Sequence, residues 1–167
     1  MFAPFADRPL AALTGGTGFL GRHAARALHE AGWRTRLLVR RDPVHPLLAG
    51  IPIEVVQGGL DDAASLDRLV HGAAVVVHAA GLVKATGRGA FMAANATGSA
   101  ALAGAAAREA ARRAPETVPP PRLVLVSSQA AREPGLSDYA ASKRAGEDAA
   151  IAAAGPCPWV VVRPPVI

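Results

Sequence analysis

A tyrosine and a lysine four residues apart are the side chains of this chain best suited to moving a proton. Tyr139 and Lys143 lie in a stretch with a helical pattern, where this spacing places both on one face. An isolated phenol, with a pKa of ~10, is a poor acid or base at neutral pH, and a nearby ammonium favours its phenolate form. Ser127 and Ser128 end the strand predicted before this helix, where a hydroxyl could hydrogen-bond a reacting oxygen. The set predicts acid–base chemistry, although a Tyr-x-x-x-Lys pair by itself is more often a helix-surface pair.

A glycine-rich segment predicts a loop that binds phosphate. It reads Thr14-Gly15-Gly16-Thr17-Gly18-Phe19-Leu20-Gly21 and lies between a predicted strand and a predicted helix. Gly15 would allow the sharp turn, Gly18 the close approach of a dinucleotide pyrophosphate, and Gly21 the tight packing of helix on strand. A glycine-rich turn without a ligand is the alternative, and no Lys-Ser/Thr pair follows as in a P-loop NTPase. The other residues expected to line the loop are Thr17, Phe19 and Leu20.

The end of the second predicted strand bears on the choice of dinucleotide. In the run Val39-Arg40-Arg41-Asp42, Arg40 stands where a carboxylate usually accepts the ribose hydroxyls of NAD. A guanidinium there can pair with a ribose 2′-phosphate through two parallel hydrogen bonds. The sequence therefore favours NADP. NAD stays open, because Asp42 is close by and the two arginines could be a solvated pair at a strand end.

The elements that must position these residues alternate between short apolar runs and longer helical stretches. The predicted strands cover residues 10–14, 34–40, 51–57, 74–78, 123–127 and 159–163, and the predicted helices cover 18–31, 62–70, 89–113 and 139–154. This alternation is typical of βαβ units. We predict one α/β domain over residues 1–167, a Rossmann fold with a doubly wound parallel sheet in three α/β/α layers. Gly32 is expected to end the first helix. The core-facing residues expected on that helix are Phe19, Leu20, Ala24, Ala27 and Leu28.

Composition narrows the function classes. The chain has 167 residues, and its 51% hydrophobic fraction suffices for one core. Its net charge of +5 comes from scattered arginines without interleaved aromatic residues, which argues against a nucleic-acid partner. Cys157 is the only cysteine, and we interpret it as a small buried side chain. We expect no metal site, no secretory leader and no membrane span, with the cytoplasm as the compartment.

Taken together, the motifs resemble the short-chain dehydrogenase/reductase superfamily, most of all its extended branch of NAD(P)-dependent epimerase/dehydratase-like proteins. The resemblance covers nearly the whole chain, and the glycine spacing matches the extended branch. The segments that carry it are the glycine loop, His78-Ala79-Ala80-Gly81, Asn95, Ser127-Ser128, Tyr139-Ala-Ala-Ser-Lys143 and Arg163-Pro164-Pro165.

The resemblance implies a role for each matching residue. Tyr139 would be the catalytic acid–base, and Lys143 would assist it and hold the nicotinamide ribose. Ser128, preferred over Ser127, would polarise the substrate carbonyl or hydroxyl. Asn95 would support the helix and the proton path. Pro164 and the residues after it would approach the nicotinamide amide. The remaining residues expected along the cofactor are Ala79, Ala80, Gly81 and Ser127.

The chain also departs from the family pattern. Gly59 stands where an adenine-binding Asp is usual, so we expect the backbone of Leu60 to serve there and Asp61 to cap the next helix. The short segment between Ser128 and Tyr139 favours reductase-like or respiratory-complex-associated relatives over sugar-processing ones. The sequence stops before the usual C-terminal substrate domain, which we expect to be absent, either because the chain is a fragment or because it is a truncated cofactor module.

The implied function is an NAD(P)-dependent oxidoreductase or epimerase/dehydratase, with NADP favoured. It would transfer a hydride to or from a secondary alcohol or ketone carbon of a small molecule, with a nucleotide sugar as one possible substrate. One alternative is a non-catalytic NAD(P)-binding or structural module. Another is a flavin or adenylate binder on the same fold. A homodimer could form through the helix at 89–113 and the helix that holds Tyr139.

Overall fold

The computed structural model describes residues 7–41, 45–116 and 118–165, and its centre is a six-stranded parallel sheet. The strands are β1 (Leu10–Thr14), β2 (Arg34–Val39), β3 (Ile53–Gln57), β4 (Val75–His78), β5 (Arg122–Val126) and β6 (Trp159–Val162). Their order in the sheet is β3-β2-β1-β4-β5-β6. The order reverses between β1 and β4, as it does in a dinucleotide-binding Rossmann fold, where ligands bind at the carboxyl ends of the strands beside this reversal. The predicted fold class is confirmed.

Helices cover both faces of the sheet. They are α1 (Phe19–Glu30), α2 (Ala63–Val70), α3 (Arg88–Met92), α4 (Gly98–Arg113) and α5 (Asp138–Ala153). A π-helical turn, Ala93–Thr97, joins α3 to α4 without a break. The short 3-10 turns are Pro46–Leu48, Ala114–Glu116 and Gln129–Arg132.

Two hydrophobic clusters lie on opposite faces of the sheet. The larger one packs α2, α4 and α5 against strand residues such as Val76 and Leu123, and alanines fill much of the α4 side. Cys157 belongs to it and is buried, as predicted. The smaller cluster joins Ala25 of α1 to Leu13 and Leu37. The sheet is thus the middle of three layers. We call the region at the carboxyl ends of β1 and β4, where the strand order reverses, the crevice.

The end of α1 follows the sequence signal at Gly32. Gly32 has φ of +82°, and its N–H donates to the carbonyl of His29 at 2.9 Å. The N–H of Trp33 donates to the carbonyl of Leu28 at 2.9 Å. These two bonds make a Schellman motif, in which a left-handed glycine satisfies the last helix carbonyls.

The predicted core face of α1 is wrong in its main members. Phe19 is 55% exposed, Leu20 is 36% exposed, and Ala27 is exposed as well. The residues that α1 buries are Gly21 and Ala25. Small side chains at these two positions let the helix lie close to the sheet, so its larger side chains point away from it.

The predicted cap of α2 is shifted by one residue. Asp62, not Asp61, is the N-cap, and its Oδ1 accepts the N–H groups of Ala64 and Ser65 at 3.1 and 3.2 Å. Asp61 is exposed. An N-cap carboxylate must be followed directly by helical residues, and only Asp62 meets that condition.

Two properties of the described part of the chain concern membranes and metal ions. Within it, no helix combines the length and apolar character needed to cross a membrane. Within the same residues, no group of three His, Cys, Asp or Glu side chains could hold a metal ion.

Candidate active site

The glycine loop leaves β1 at the crevice beside β4. Gly15 has φ of +70°, and a Cβ atom there would lie 2.5 Å from the backbone nitrogen of Ala80. A Cβ at Gly21 would lie 2.0 Å from the Gly15 carbonyl oxygen, so α1 rests directly on the loop. At Gly18 the nearest such contact is 3.3 Å, and this position is the more open one. Glycine at the first and last of these positions is therefore required by backbone contacts.

The start of α1 offers free donors to an anion. Gly18, the N-cap, has no side chain to bond the first N–H groups, and the first turn has no acidic residue. These N–H groups are the positive end of the helix dipole. Thr17, Phe19 and Leu20 around them are exposed. The loop therefore fits a dinucleotide pyrophosphate.

Asn95 ties the loop after β4 to helix α5. Its Oδ1 accepts the N–H of Leu82 at 2.8 Å, and its Nδ2 donates to the Leu82 carbonyl and to Ser142 Oγ, both at 2.9 Å. A Cβ at Gly81 would lie 2.9 Å from Asn95 Oδ1 and 3.7 Å from Lys143 Nζ. The backbone at Gly81 therefore fits closely between these two side chains.

The π-helical turn brings Asn95 onto the crevice. Within Ala93–Thr97, Asn95 is 2% exposed, and a Cβ at Gly146 of α5 would lie 2.2 Å from its carbonyl oxygen. Such turns often occur at functional sites, because they change the direction of one side chain within a continuous helix. Asn95 and a helix around it were predicted from the sequence, but the π-helical turn was not.

A buried histidine links the strand ends beneath the crevice. His78 Nδ1 lies 2.6 Å from Thr14 Oγ1, and His78 Nε2 lies 2.9 Å from Ser99 Oγ. The Ser99 hydroxyl donates to the Asn95 carbonyl at 2.6 Å, so it accepts from His78 Nε2–H. Thr14 Oγ1 accepts the N–H of Ala80, so its own proton is available to His78 Nδ1. These contacts fit a neutral ring with its proton on Nε2.

The same histidine has a strongly lowered pKa. Burial, followed by the positive charge of Lys143, lowers the pKa of His78 to about 3. In the sequence, His78 is part of a family motif, and no role was predicted for it. The structure makes it the connection between Thr14, at the start of the glycine loop, and Asn95.

The predicted acid–base pair lies on α5. Lys143 Nζ donates to the carbonyl of Val126, the last residue of β5, at 2.9 Å. Burial lowers the pKa of Lys143, and the negative charge of Glu147 partly opposes this. Tyr139 is half-buried one turn earlier, with its ring edge-on to Phe91 at a centroid distance of 6.0 Å. Both side chains belong to one helix, which fixes their positions relative to each other.

The two predicted serines have different surroundings. Ser128 Oγ accepts the N–H of Ala130 at 3.2 Å and caps the turn Gln129–Arg132, which leaves its O–H free to donate. Ser127 is buried, and its Oγ makes no hydrogen bond within the described residues. Of the two, Ser128 is the one with a hydroxyl available to a ligand.

The other predicted residues occupy the edges of the crevice. Arg40 is exposed directly after β2, whose register with β1 pairs Leu38 with Thr14 and so places Arg40 near the glycine loop. Asp42, which kept NAD open, and Pro43 lie outside the described residues. The side chain of Leu60 packs against α4, since a Cβ at Gly98 would lie 2.7 Å from it.

Glu147 is not among the residues predicted from the sequence. It is buried one turn after Lys143 and paired with Arg163, the residue before Pro164. Its signal in the sequence is the spacing of Tyr139, Lys143 and Glu147, which repeats every four residues and so continues one helix face.

The strand order, the glycine loop and the uncapped start of α1 define a Rossmann domain of the dinucleotide-binding class. A family model narrows this further: the NAD dependent epimerase/dehydratase family matches residues 11–167. The chain belongs to that family, which confirms the resemblance found in the sequence.

Some known proteins are similar to this chain in sequence, and others are similar in structure. The chain is 54% identical over 160 residues to the ceramide reductase of Caulobacter vibrioides (strain NA1000 / CB15N), covering 96% of this chain and 47% of that protein. It spans about half the length of the curated relatives it matches.

Two solved structures show the same fold. One is a short-chain dehydrogenase/reductase superfamily protein from Agrobacterium tumefaciens with bound NAD, at 22% identity and a TM-score of 0.74, covering 92% of this chain and 48% of that one. The other is the Bordetella bronchiseptica enzyme WbmH in complex with NAD+, at 22% identity and a TM-score of 0.76, covering 93% of this chain and 55% of that one.

Proposed function

We propose that this chain forms the cofactor-binding and proton-transfer half of an NAD(P)-dependent reductase, with NADP as the preferred cofactor. One observation carries the proposal. The segment from Ala79 to Gly81 is packed against Gly15 of the phosphate loop at one end and against Lys143 at the other. The loop and the acid–base pair therefore face the same crevice. The arginine at position 40, exposed near the loop, supports the preference for NADP.

In the proposed reaction a ketone becomes a secondary alcohol. When bound in its reduced form, the dinucleotide would supply the hydride to the carbonyl carbon. Tyr139 gives its phenolic proton to the carbonyl oxygen, and the Lys143 ammonium stabilises the phenolate that remains. The free O–H of Ser128 donates to the same oxygen as charge develops on it. In the reverse direction Tyr139 takes the proton back.

The substrate class we propose is a ceramide-like lipid that carries a ketone. Its support is the 54% identity to a ceramide reductase over nearly all of this chain. A nucleotide sugar, the other substrate considered from the sequence, serves as the comparison compound. Cytoplasmic location and a homodimer through α4 and α5 stay predictions.

The experiment that tests this function is turnover with Tyr139→Phe. The full gene product is incubated with NADPH, a ketone-bearing ceramide analogue or a nucleotide sugar, and the loss of reduced cofactor is followed. We expect wild-type turnover of the lipid, and a fall of about 100- to 10,000-fold in Tyr139→Phe, because a positioned general acid contributes that much. NADPH affinity should stay near the wild-type value, since the ring is retained.

Two results would contradict the proposal. Equal turnover by Tyr139→Phe would remove the catalytic role of this residue. NADPH binding without turnover of any ketone or sugar would favour the alternative of a non-catalytic NAD(P)-binding module.

A further inference from the structure

A buried carboxylate lies one helical turn beyond Lys143 and has no part in the mechanism above. Glu147 is 3% exposed, although charged side chains are rarely buried without a partner. Its partner is Arg163, whose Nε and Nη2 donate to the two carboxylate oxygens at 2.8 and 2.5 Å. Two parallel bonds fix the direction of both side chains. The ion pair is therefore a rigid connection between α5 and the segment after β6.

The segment that contains Arg163 is also tied to the end of β5. The N–H of Ser127 donates to the carbonyl of Val162 at 2.8 Å, and the N–H of Gln129 donates to the carbonyl of Pro164 at 3.0 Å. The pair of Glu147 and Arg163 thus connects α5 to a segment whose position relative to β5 is already fixed by backbone hydrogen bonds.

Glu147 acts on Lys143 by charge as well. Burial lowers the pKa of Lys143, and the negative charge of Glu147 partly opposes that shift. Burial would raise the pKa of Glu147 itself, but the hydrogen bonds and charge of Arg163, with help from Arg144, hold it below its usual value. The carboxylate is therefore ionised, and without it Lys143 would lose a stabilising negative charge.

We propose that Glu147 and Arg163 form a positioning pair for the nicotinamide end of the cofactor site, an inference that rests on the proposed function. Neither side chain has to touch the cofactor. The pair holds Lys143 and Pro164, the two residues assigned to that end, in fixed positions relative to each other. The adenosine end lies at the glycine loop and Arg40, on other strands, and does not depend on the pair.

Glu109 provides a matched control. It is also 3% exposed, and Arg113 Nε donates to it at 2.8 Å. It accepts the N–H of Gly72 as well, in the turn before β4. This second buried ion pair therefore lies at the amino ends of the strands, at the end of the sheet opposite to the crevice.

The test compares the binding of two ligands to Glu147→Gln and Glu109→Gln. NADPH has both ends of the cofactor, whereas 2′,5′-ADP keeps the adenosine end and lacks the nicotinamide end. For Glu147→Gln we expect the Kd of NADPH to rise about tenfold. This is the worth of one charge-assisted hydrogen bond, here the one expected from Lys143 to the nicotinamide ribose. The Kd of 2′,5′-ADP should change by less than about twofold, as for an independent site. Glu109→Gln should leave both Kd values near wild type, whatever it does to stability.

A variant that lacks both charges is the control for a single variant that folds poorly. Glu147→Gln combined with Arg163→Gln leaves no unpaired buried charge, and it should show the same selective loss of NADPH. Glu147→Asp, which keeps the charge, should recover part of the lost NADPH affinity. Wild-type NADPH affinity in the double variant, or equal losses for the two ligands, would overturn the inference. If the wild-type chain binds neither ligand, the proposed function itself fails.

Discussion

At the scale of single residues, Lys143 is a cation held where burial disfavours it. Burial lowers the pKa of Lys143, Glu147 opposes that shift, and the carbonyl of Val126 accepts a hydrogen bond from the ammonium at 2.9 Å. Because the net direction is downward, the ammonium loses its proton at a lower pH than an exposed lysine does. The support that it gives to a phenolate at Tyr139 therefore ends earlier on the alkaline side.

Arg40 carries the prediction for cofactor choice. If its guanidinium binds the 2′-phosphate, Arg40→Ser should weaken NADPH binding by about 10- to 100-fold, since hydrogen bonds to charged groups contribute roughly 1.5–3 kcal/mol. NADH binding should not change. Fluorescence titration with both cofactors measures the two affinities.

Arg41→Ser is the control for that experiment, because it removes the same charge one residue later. Loss of NADPH affinity in Arg41→Ser alone would move the phosphate contact to Arg41. Tighter binding of NADH than of NADPH by the wild-type chain would remove the NADP preference.

At the scale of elements, the sequence predicted the strands well because each is a short apolar run bounded by turn residues. β1 has the predicted ends, and Gly32 ends α1 as expected. The face of α1 was wrong, because hydrophobicity favoured Phe19 and Leu20 whereas close packing on the loop favoured Gly21. The π-helical turn was missed, since its residues have an ordinary helical pattern.

Two helix glycines should respond in opposite ways to alanine. A Cβ at Gly146 would lie 2.2 Å from the Asn95 carbonyl oxygen, so Gly146→Ala must push α5 away from the π-helical turn. We expect a loss of about 1–3 kcal/mol in the free energy of unfolding. Gly104 in α4 has only Arg108 Nη1 near that position, at 3.7 Å. Gly104→Ala should therefore gain roughly 0.5–1 kcal/mol, because alanine costs less backbone entropy.

Urea unfolding of the two variants and the wild type measures both changes. A Gly146→Ala protein as stable as Gly104→Ala would show that the contact between α5 and Asn95 is looser than the structure has it.

At the scale of the whole molecule, the candidate site is assembled from the ends of several strands, the start of α1, the π-helical turn and α5. Sequence motifs identified the residues that a ligand could touch, including Gly15, Tyr139 and Lys143. They did not identify Glu147, because its partner Arg163 lies sixteen positions later and only folding brings the two together. The hydrogen bonds of His78 were missed for the same reason, since Thr14 and Ser99 come from other elements.

The buried His78 makes the stability of the whole domain depend on pH. Its pKa is about 3 in the folded chain and about 6.5 when exposed, so unfolding takes up a proton between these values. A depressed histidine pKa gives full stability above the unfolded value, and stability falls as pH drops below it. Near pH 5 the loss should be about 2 kcal/mol relative to pH 7, at 1.36 kcal/mol per unit. The carboxylates with lowered pKa values, Glu54, Glu109 and Glu147, act in the same direction but only near and below pH ~4.5.

Urea unfolding at about pH 7 and about pH 5 tests this in the wild type, His78→Leu and the exposed-site control His23→Gln. His78→Leu should be less stable at both values, because Thr14 and Ser99 lose a partner, but its stability should change little between them. His23→Gln should keep the wild-type difference. A wild-type chain equally stable at the two values would mean that His78 is not buried as a neutral ring, and the hydrogen-bonded connection from Thr14 to Asn95 would then have to be abandoned.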